Sequence, residues 1–394
     1  MATDIRLQPA TTYSQWVRQV IALMQANQHD QLISLFESSV TEPVELLSTL
    51  VGSSFADPVT SRYASAFGDG NPWVTAQLAK DYDVGEEQVV CTTGATSALS
   101  LIYRALLKPG DRVLVENPGF DLFGILARSQ GFGVDTFERI GPRFTVDPEA
   151  VERAIGRDTR IVVISDLHNP TGHSLPPETL TALGEIADRR MVTIVVDEVY
   201  SPYVGSDVRA AASAGISPRI LSVNSLTKIY GLSTLRCGWI VGDASLIIPI
   251  RALSHEIDFG ISKLSHAVAA LVLEDPKPFR DRTKAIISRT RPIVELYHQS
   301  LLADGLIEGE LPDHGCIAFL RLPGIDDTKR FSGWLAQECG TVVVPGEYFG
   351  APGHIRIGFG IEPDALELGL QMLTKGLTKY QDGRFGRDGA KATA

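Results

Sequence analysis

Short apolar runs alternate with longer segments of helical periodicity through the middle of the chain. The apolar runs predict strands at 88–92, 112–116, 160–165, 192–197 and 219–223. Helices are predicted between them, near 95–107, 121–130, 147–155 and 177–189. This alternation favours an α/β fold in which a mostly parallel sheet is covered by helices on both faces. The apolar runs are continuous, as expected of strands buried on both faces.

The pattern differs at both ends of the chain. Tyr13–Ala26 has apolar residues at helical spacing, and a long helix is predicted at roughly Phe279–Leu302. Further elements follow, with strands at Cys316–Arg321, Thr341–Pro345 and His354–Gly358 and helices near 327–339 and 362–380. We expect an N-terminal segment (1–50) that packs on a small α+β domain (277–380), a large domain (51–276), and a frayed tail (381–394).

Composition narrows the function classes. The 394 residues are 44% hydrophobic and 21% charged, with a net charge of −11, which disfavours nucleic acid or an anionic membrane as partner. The cysteines lack a Cys-x-x-Cys pair and indicate a reduced, cytoplasmic protein. The histidines show no metal-ligand spacing, and neither a signal segment nor an apolar run of membrane-spanning length is present. We therefore expect a soluble, cytoplasmic protein without a metal site.

The stretch 222–242 places Lys228 in a polar loop between two apolar runs. A lysine held there could lose water, lower its pKa and form a Schiff base with a carbonyl. Ser225 and Arg236 flank it, and both side chains can hold a phosphate. Together they indicate pyridoxal 5′-phosphate (PLP). The alternative is a surface loop with an ordinary lysine.

Three other strand ends carry candidate contacts, since ligands of open parallel sheets lie beyond the carboxyl ends of the strands. The turn at Thr93-Gly94-Ala95-Thr96 opens a helix and could seat a phosphate, or it could be an ordinary helix cap. Phe120, in Asn117-Pro-Gly-Phe120, could stack on a heteroaromatic ring or belong to the core. Asn169, in His168-Asn-Pro-Thr-Gly172, could donate to a ring oxygen or simply make a turn.

The strand at 192–197 ends in two acids, Asp197 and Glu198. A carboxylate that faces a pyridine nitrogen keeps it protonated, which makes the ring an electron sink. Tyr200, three residues after Asp197, could reach the ring hydroxyl. The alternative for the acids is an exposed helix cap.

At this point the chain resembles the class I/II aminotransferases, fold type I PLP enzymes related to aspartate aminotransferase. The resemblance spans about residues 55–375 and is carried by His168-Asn-Pro-Thr-Gly172, Asp197-x-x-Tyr200, Ser225-x-x-Lys228 and Arg236. We therefore expect a large domain with a mostly parallel seven-stranded sheet, plus a smaller α+β domain from the C-terminal part and the N-terminal segment.

The resemblance also implies a role for each matching residue. Lys228 would be the Schiff-base lysine and proton shuttle, and Asp197 would pair with the pyridinium nitrogen, while Asn169 and Tyr200 contact the ring oxygen. Phe120 would stack on the ring, and the phosphate would be held by Gly94, Ala95, Thr96, Ser225 and Arg236. Tyr63 matches a tyrosine that reaches the phosphate of the neighbouring subunit, which implies a homodimer with shared sites.

Arg356 matches the family arginine that binds the substrate α-carboxylate. A lone arginine in the apolar strand around Ile355-Arg-Ile357 needs an anionic partner, and a bidentate carboxylate suits it. An internal acid could fill the same role as a structural ion pair.

The predicted activity is exchange of an amino group between an α-amino acid and a 2-oxo acid through Lys228. Departures from the family leave the amino acid open: 37–43 lacks the usual glycine-containing loop, and no second substrate arginine can be placed. One alternative is a PLP-dependent lyase, cyclase or decarboxylase on the same scaffold, since the cofactor carries the chemistry. Another is a non-catalytic ligand sensor, but such regulators need a DNA-binding segment that this acidic chain lacks.

Overall fold

A computed structural model describes residues 10–26, 32–55, 62, 70–204, 213–257, 261–381 and 383. It divides into two compact units. The larger unit spans Ser39–Lys284, and the smaller one combines the described residues up to Ser38 with those from Ala285 onward. Within the described ranges, every helix is too short or too polar to cross a lipid bilayer.

The helices and strands follow one another in chain order. The helices are α1 (Tyr13–Ala26), α2 (Val44–Ser54), α3 (Pro72–Tyr82), α4 (Ala95–Leu106), α5 (Leu122–Ser129), α6 (Pro148–Ala154), α7 (Pro177–Arg190), α8 (Ala244–Ile257), α9 (Lys263–Glu274), α10 (Lys277–Ala303), α11 (Thr328–Cys339) and α12 (Pro363–Gln381). The strands are β1 (Ile33–Ser34), β2 (Val89–Thr92), β3 (Arg112–Asn117), β4 (Gly133–Glu138), β5 (Thr159–Ser165), β6 (Thr193–Asp197), β7 (Ile220–Ser225), β8 (Gly238–Val241), β9 (Ile317–Arg321), β10 (Thr341–Val342), β11 (Val344–Pro345) and β12 (His354–Gly358).

The larger unit is built on a seven-stranded sheet in the order β2-β8-β7-β6-β5-β3-β4. Its strands are parallel except β8, which runs antiparallel to both β2 and β7. The central strands β6 and β7 are buried along their whole length. β6 has apolar residues on both faces, as is usual for an inner parallel strand, whereas β7 also buries three polar residues, Ser222, Asn224 and Ser225. The predicted mostly parallel seven-stranded sheet is confirmed.

The smaller unit contains a three-stranded antiparallel sheet, β11-β12-β9, and a parallel pair, β1-β10. The chain around Phe36 runs beside β12, where the Gly358 N–H donates to the Leu35 carbonyl at 2.7 Å. Glycine is required at 358, because a Cβ there would lie 1.5 Å from the Glu37 carbonyl oxygen. The N-terminal segment and β12 are therefore in direct backbone contact.

Two sequence-based expectations about strands need correction. The predicted strand Thr341–Pro345 is two short strands, since β10 pairs with β1 whereas β11 pairs with β12. The edge strand β4 was not predicted at all. Its residues are mostly half-buried or exposed, with Phe137 alone buried, so it lacks the continuous apolar run of the inner strands.

Candidate active site

An anion-binding corner forms where β2 leads into α4. Gly94 caps the helix with φ +91°, a backbone conformation that favours glycine. A Cβ at Gly94 would lie 2.7 Å from Arg236 Nη2, so the guanidinium lies directly against the helix N-terminus. The first-turn N–H groups of Ala95 and Thr96 and the helix dipole add to this positive region. Such a corner favours a phosphate group.

The antiparallel strand β8 brings the other residues to this corner. Gly238 pairs with Thr92 on one side and with Ser225 on the other. A Cβ at Gly238 would lie 2.6 Å from the Gly94 Cα, so the close approach requires glycine. The structure thus brings Gly94, Ser225 and Arg236 together at one edge of the sheet.

Ser225 is held by a buried polar network behind the corner. Its N–H donates to Asn224 Oδ1 at 2.7 Å, and Trp239 Nε1 donates to the Tyr82 hydroxyl at 3.0 Å. Asn224 Nδ2 lies 3.5 Å from the same hydroxyl. These contacts fix the end of β7 by side chains that sequence reasoning did not single out.

Lys228 follows β7 in a turn and is half-buried. Its Nζ lies 5.3 Å from the centre of the Tyr200 ring, and the Tyr203 hydroxyl donates to its backbone carbonyl at 3.2 Å. The alternative of an ordinary surface lysine does not fit this environment. Lys228 and Tyr200 therefore lie together beside the end of β6.

Asp197 ends β6 and is only 7% exposed. Burial raises the pKa of its carboxyl to about 7, opposed by the Val199 N–H and by Lys228, while Glu116 raises it further. Glu198 is fully buried and accepts a hydrogen bond from the Ser222 hydroxyl at 3.0 Å. The alternative of an exposed acidic cap is therefore wrong for both acids.

The turn after β5 presents Asn169, which is 8% exposed and whose N–H donates to Ser165 Oγ at 3.1 Å. The preceding His168 is buried, with Nε2 2.9 Å from the Pro118 carbonyl and Nδ1 2.8 Å from the Thr171 hydroxyl. Burial lowers the pKa of His168 well below its usual value, so its ring is neutral. His168 therefore ties the Asn169 turn to the turn after β3.

Phe120, in the turn after β3, is half-buried, and its ring lies edge-on to Phe123 at 5.8 Å. This contact with α5 agrees with the alternative of a core role, and it leaves the stacking role a prediction. Tyr63 lies outside the described residues.

A buried ion pair beneath the Asn169 turn was missed by the sequence analysis. Glu116 Oε2 and Arg139 Nη2 lie 2.6 Å apart, and the two side chains are 0% and 1% exposed. The sequence signal for Glu116 is an acid that directly follows the apolar residues 113–115. Nothing comparable marks Arg139 as its partner, because it follows the edge strand β4 that was itself missed.

Arg356, in the smaller unit, is 1% exposed. Its Nη2 donates to the Tyr13 hydroxyl at 2.8 Å and to the Phe36 carbonyl at 3.1 Å. Its guanidinium carbon lies 5.2 Å from the centre of the Tyr13 ring and 5.0 Å from that of Phe349. Tyr13 is another residue that the sequence analysis missed, since α1 was given no chemical role.

The residues of the larger unit fit the cofactor that the resemblance implies. The corner at Gly94 offers backbone N–H groups and a guanidinium where a side chain at that position would clash. Asp197 carries a buried carboxyl whose raised pKa calls for a nearby cation to keep it ionised. A phosphate and a protonated pyridine nitrogen supply these two opposite charges. Lys228, which interacts electrostatically with Asp197, supplies an amine that could attach the cofactor.

Comparison with known proteins agrees with this chemistry. Residues 68–373 match the family model described as aminotransferase class I and II. The arginine–pyruvate transaminase AruH of Pseudomonas aeruginosa is 32% identical over 290 residues, 71% of this chain and 72% of that protein. Capreomycidine synthase of Streptomyces vinaceus is 28% identical over 380 residues, 95% of this chain and 96% of that protein.

A solved structure gives the same result. Aspartate aminotransferase from Thermus thermophilus with maleate has a TM-score of 0.79 and 26% sequence identity, covering 94% of this chain and 97% of that one. The chain therefore belongs to the class I and II aminotransferases, a fold type I family that depends in general on PLP, and it is an aminotransferase of that family.

Proposed function

We propose that this aminotransferase binds PLP covalently on Lys228 and uses it to exchange an amino group between an α-amino acid and a 2-oxo acid. The observation that carries the proposal is the placement of half-buried Lys228, whose Nζ lies 5.3 Å from the centre of the Tyr200 ring, at the strand end that also carries the buried Asp197 carboxyl. The lysine amine would react with the aldehyde group of PLP, and the carboxyl would face the pyridine nitrogen on the opposite side of the ring.

Each remaining residue has a stated task in this proposal. The phosphate is held by Gly94, Ala95, Thr96, Ser225 and Arg236. Asp197 faces the pyridine nitrogen, Asn169 and Tyr200 contact the ring oxygen, and Phe120 lies against the ring. When bound, PLP withdraws electrons from the substrate Cα. The protein positions the substrate, and the Lys228 amine takes the proton from Cα.

Arg356 is proposed to bind the α-carboxylate of the amino acid. A guanidinium that is almost fully buried gains most from a planar anionic partner, because a carboxylate accepts two parallel hydrogen bonds. The Tyr13 hydroxyl and the two aromatic rings beside Arg356 hold the guanidinium in a fixed orientation. Such pre-orientation lowers the entropic cost of binding.

The assembly and location of the enzyme are also part of the proposal. A homodimer, in which Tyr63 reaches the phosphate of the neighbouring subunit, rests on the family resemblance. A cytoplasmic location rests on cysteines without a disulfide-like spacing.

The proposal is tested by chemical labelling and a substrate panel. Borohydride reduction of the PLP-loaded protein, followed by peptide mapping, should place the cofactor on Lys228. Amino donors, including arginine, are then supplied with pyruvate, and the products are identified by mass spectrometry. Formation of 2-oxo acid and alanine supports transamination. A label on another lysine, or failure to bind PLP, would contradict the assignment.

A second candidate function is another PLP reaction on an amino acid. The match to capreomycidine synthase extends over 95% of this chain, further along it than the match to the arginine–pyruvate transaminase. The same panel distinguishes the two functions. Consumption of an amino acid without formation of alanine, and with a cyclised, eliminated or decarboxylated product, would favour the second.

Arg356→Ala should lower kcat/KM for α-amino acids about 100-fold, because a charge-assisted bidentate contact is lost. Arg356→Lys should recover only part of this, since lysine keeps the charge but not the planar fork. Simple amines without a carboxylate should be affected little. Arg321→Ala is the matched control, because that exposed arginine in the neighbouring strand β9 pairs with Glu308. Equal losses for amino acids and plain amines would make Arg356 a structural residue.

A further inference from the structure

We propose that the buried Glu116–Arg139 pair, acting through Ser165, is a positioning device that holds Asn169 against the ring oxygen of the cofactor. This inference rests on the proposed function, because Asn169 has a ring oxygen to contact only if PLP is bound. Glu116, Arg139 and Ser165 act through Asn169, and they are therefore positioning residues.

The ion pair is closed off from solvent and satisfied on both sides. Arg139 Nε donates to Glu116 Oε2 at 2.8 Å, in addition to the 2.6 Å contact from Nη2. Arg139 also donates to two backbone carbonyls, those of Phe144 at 3.1 Å and Ser165 at 2.8 Å. The guanidinium thus connects the chain after β4 with the last residue of β5.

Ser165 is the link between this pair and Asn169. Its N–H and its hydroxyl both donate to Glu116 Oε1, at 3.1 and 2.5 Å. Because the hydroxyl proton is directed to Glu116, the oxygen is left to accept the Asn169 N–H at 3.1 Å. A single carboxylate therefore fixes both the end of β5 and the orientation of the next turn.

The same linkage reaches Asp197. Ser165 is the register partner of Asp197 in the sheet, and the following Asp166 N–H donates to the Asp197 carbonyl at 3.0 Å. Asn169 and Asp197 would meet the ring at different atoms, so a shift of β5 relative to β6 would misplace one of them. The Glu116–Arg139 pair pins this register from the neighbouring strand β3.

A purely structural role does not account for the choice of residues. Two buried charges bring little net stability, and a well-packed apolar pair of similar size often stabilises a fold more. What the charged pair adds is direction, because each hydrogen bond fixes the orientation of a specific group. Direction matters at a residue whose side chain must face one atom of a ligand.

The test compares Ser165→Ala with Ser222→Ala in the PLP-loaded protein. Ser222 is a closely matched control: it is a buried serine in strand β7, its hydroxyl donates to the buried Glu198 at 3.0 Å, and its oxygen accepts the Ala214 N–H at 3.1 Å. Both variants should lose a similar amount of thermal stability. Only Ser165→Ala should disturb the contact with the ring oxygen.

The readouts are the PLP dissociation constant and the pH midpoint of the visible absorbance change of the bound cofactor. For Ser165→Ala we expect about 10-fold weaker PLP binding and an upward shift of about one pH unit in the midpoint, because the Asn169 amide is no longer held in place to donate to the anionic ring oxygen. Ser165→Ala replaces none of the other ionisable groups around Asp197 and Glu116, which are Lys228, Tyr103, Tyr200, Asp166, Arg139 and His168.

Each outcome decides the proposal. If Ser165→Ala and Ser222→Ala have the same PLP affinity and pH midpoint, the ion pair is structural and the inference is wrong. If Ser165→Ala does not fold, Glu116→Gln is measured instead, and PLP affinity equal to that of the unmodified protein overturns the inference. If the unmodified protein itself binds no PLP, the proposed function fails, which is a separate result.

Discussion

Lys228→Ala is expected to lower kcat/KM for every amino donor by about 10,000-fold or more, because in the proposed mechanism this one side chain both attaches the cofactor and moves the substrate proton. The loss should appear in kcat as well as in KM, since the proton transfer belongs to the chemical step. Stopped-flow spectroscopy of the half-reaction with an excess of amino acid measures it directly.

The control for this variant is Lys80→Ala. Lys80 lies in the last turn of α3 and is exposed, so its loss removes a lysine without touching the site. Both proteins should have the same melting temperature within a few degrees and the same far-ultraviolet circular dichroism. A Lys228→Ala protein with more than about one tenth of the original kcat would exclude Lys228 as the proton-transfer group.

Asp197→Ala is expected to reduce the half-reaction rate by about 1,000-fold, because under the proposed function the pyridine nitrogen would lose the charge that keeps it protonated. Asp197→Glu should retain more activity, since the carboxylate survives at a shifted position. Glu198→Gln is the matched control, because the neighbouring acid is equally buried but contacts Ser222. Similar losses in Asp197→Ala and Glu198→Gln would mean that the two acids act only through the fold.

Removing the charge of Asp197 should raise the stability of the cofactor-free protein, although it lowers activity. Burial raises the pKa of its carboxyl from 3.8 to about 7, so the folded, cofactor-free protein binds more protons than the unfolded chain. Stability is therefore lost as pH rises between about 4 and 7. Asp197→Asn removes an ionised buried group above that range. We expect the cofactor-free variant to melt at a higher temperature than the original protein at pH 8, in a calorimetric scan, although its activity falls.

Much of the larger unit could be predicted from the sequence, because its inner strands β5 and β6 are apolar on both faces. The apolar runs around Ile161 and Ile194 can only be buried strands or buried helices. The helical segment between them is long enough to connect two parallel strands. The site residues at the ends of β5, β6 and β7 followed in turn, since a parallel sheet brings such ends to one edge.

Other features depend on contacts that one sequence cannot reveal. Glu116 is visible as an acid in an apolar strand, but its partner Arg139 is 23 residues away along the chain. Tyr13 contacts Arg356 across 343 residues, and its helix looks like any amphipathic docking helix. The edge strand β4 follows the weaker period of a partly exposed strand. For Glu116 and Arg356 the missing information is which distant residue is the hydrogen-bond partner, and for β4 it is the hydrophobic pattern itself that is weak.

The antiparallel strand β8 also has a consequence for biosynthesis. Arg236 donates to the Thr93 carbonyl at 3.3 Å across 143 residues of sequence, and the anion-binding corner exists only once β8 lies between β2 and β7. Contacts of such long sequence separation close late in folding. A nascent chain in which β8 has not yet been synthesised therefore lacks a complete phosphate-binding site. We therefore expect PLP to bind only after β8 has left the ribosome and has entered the sheet, so that cofactor binding reports that the sheet is complete.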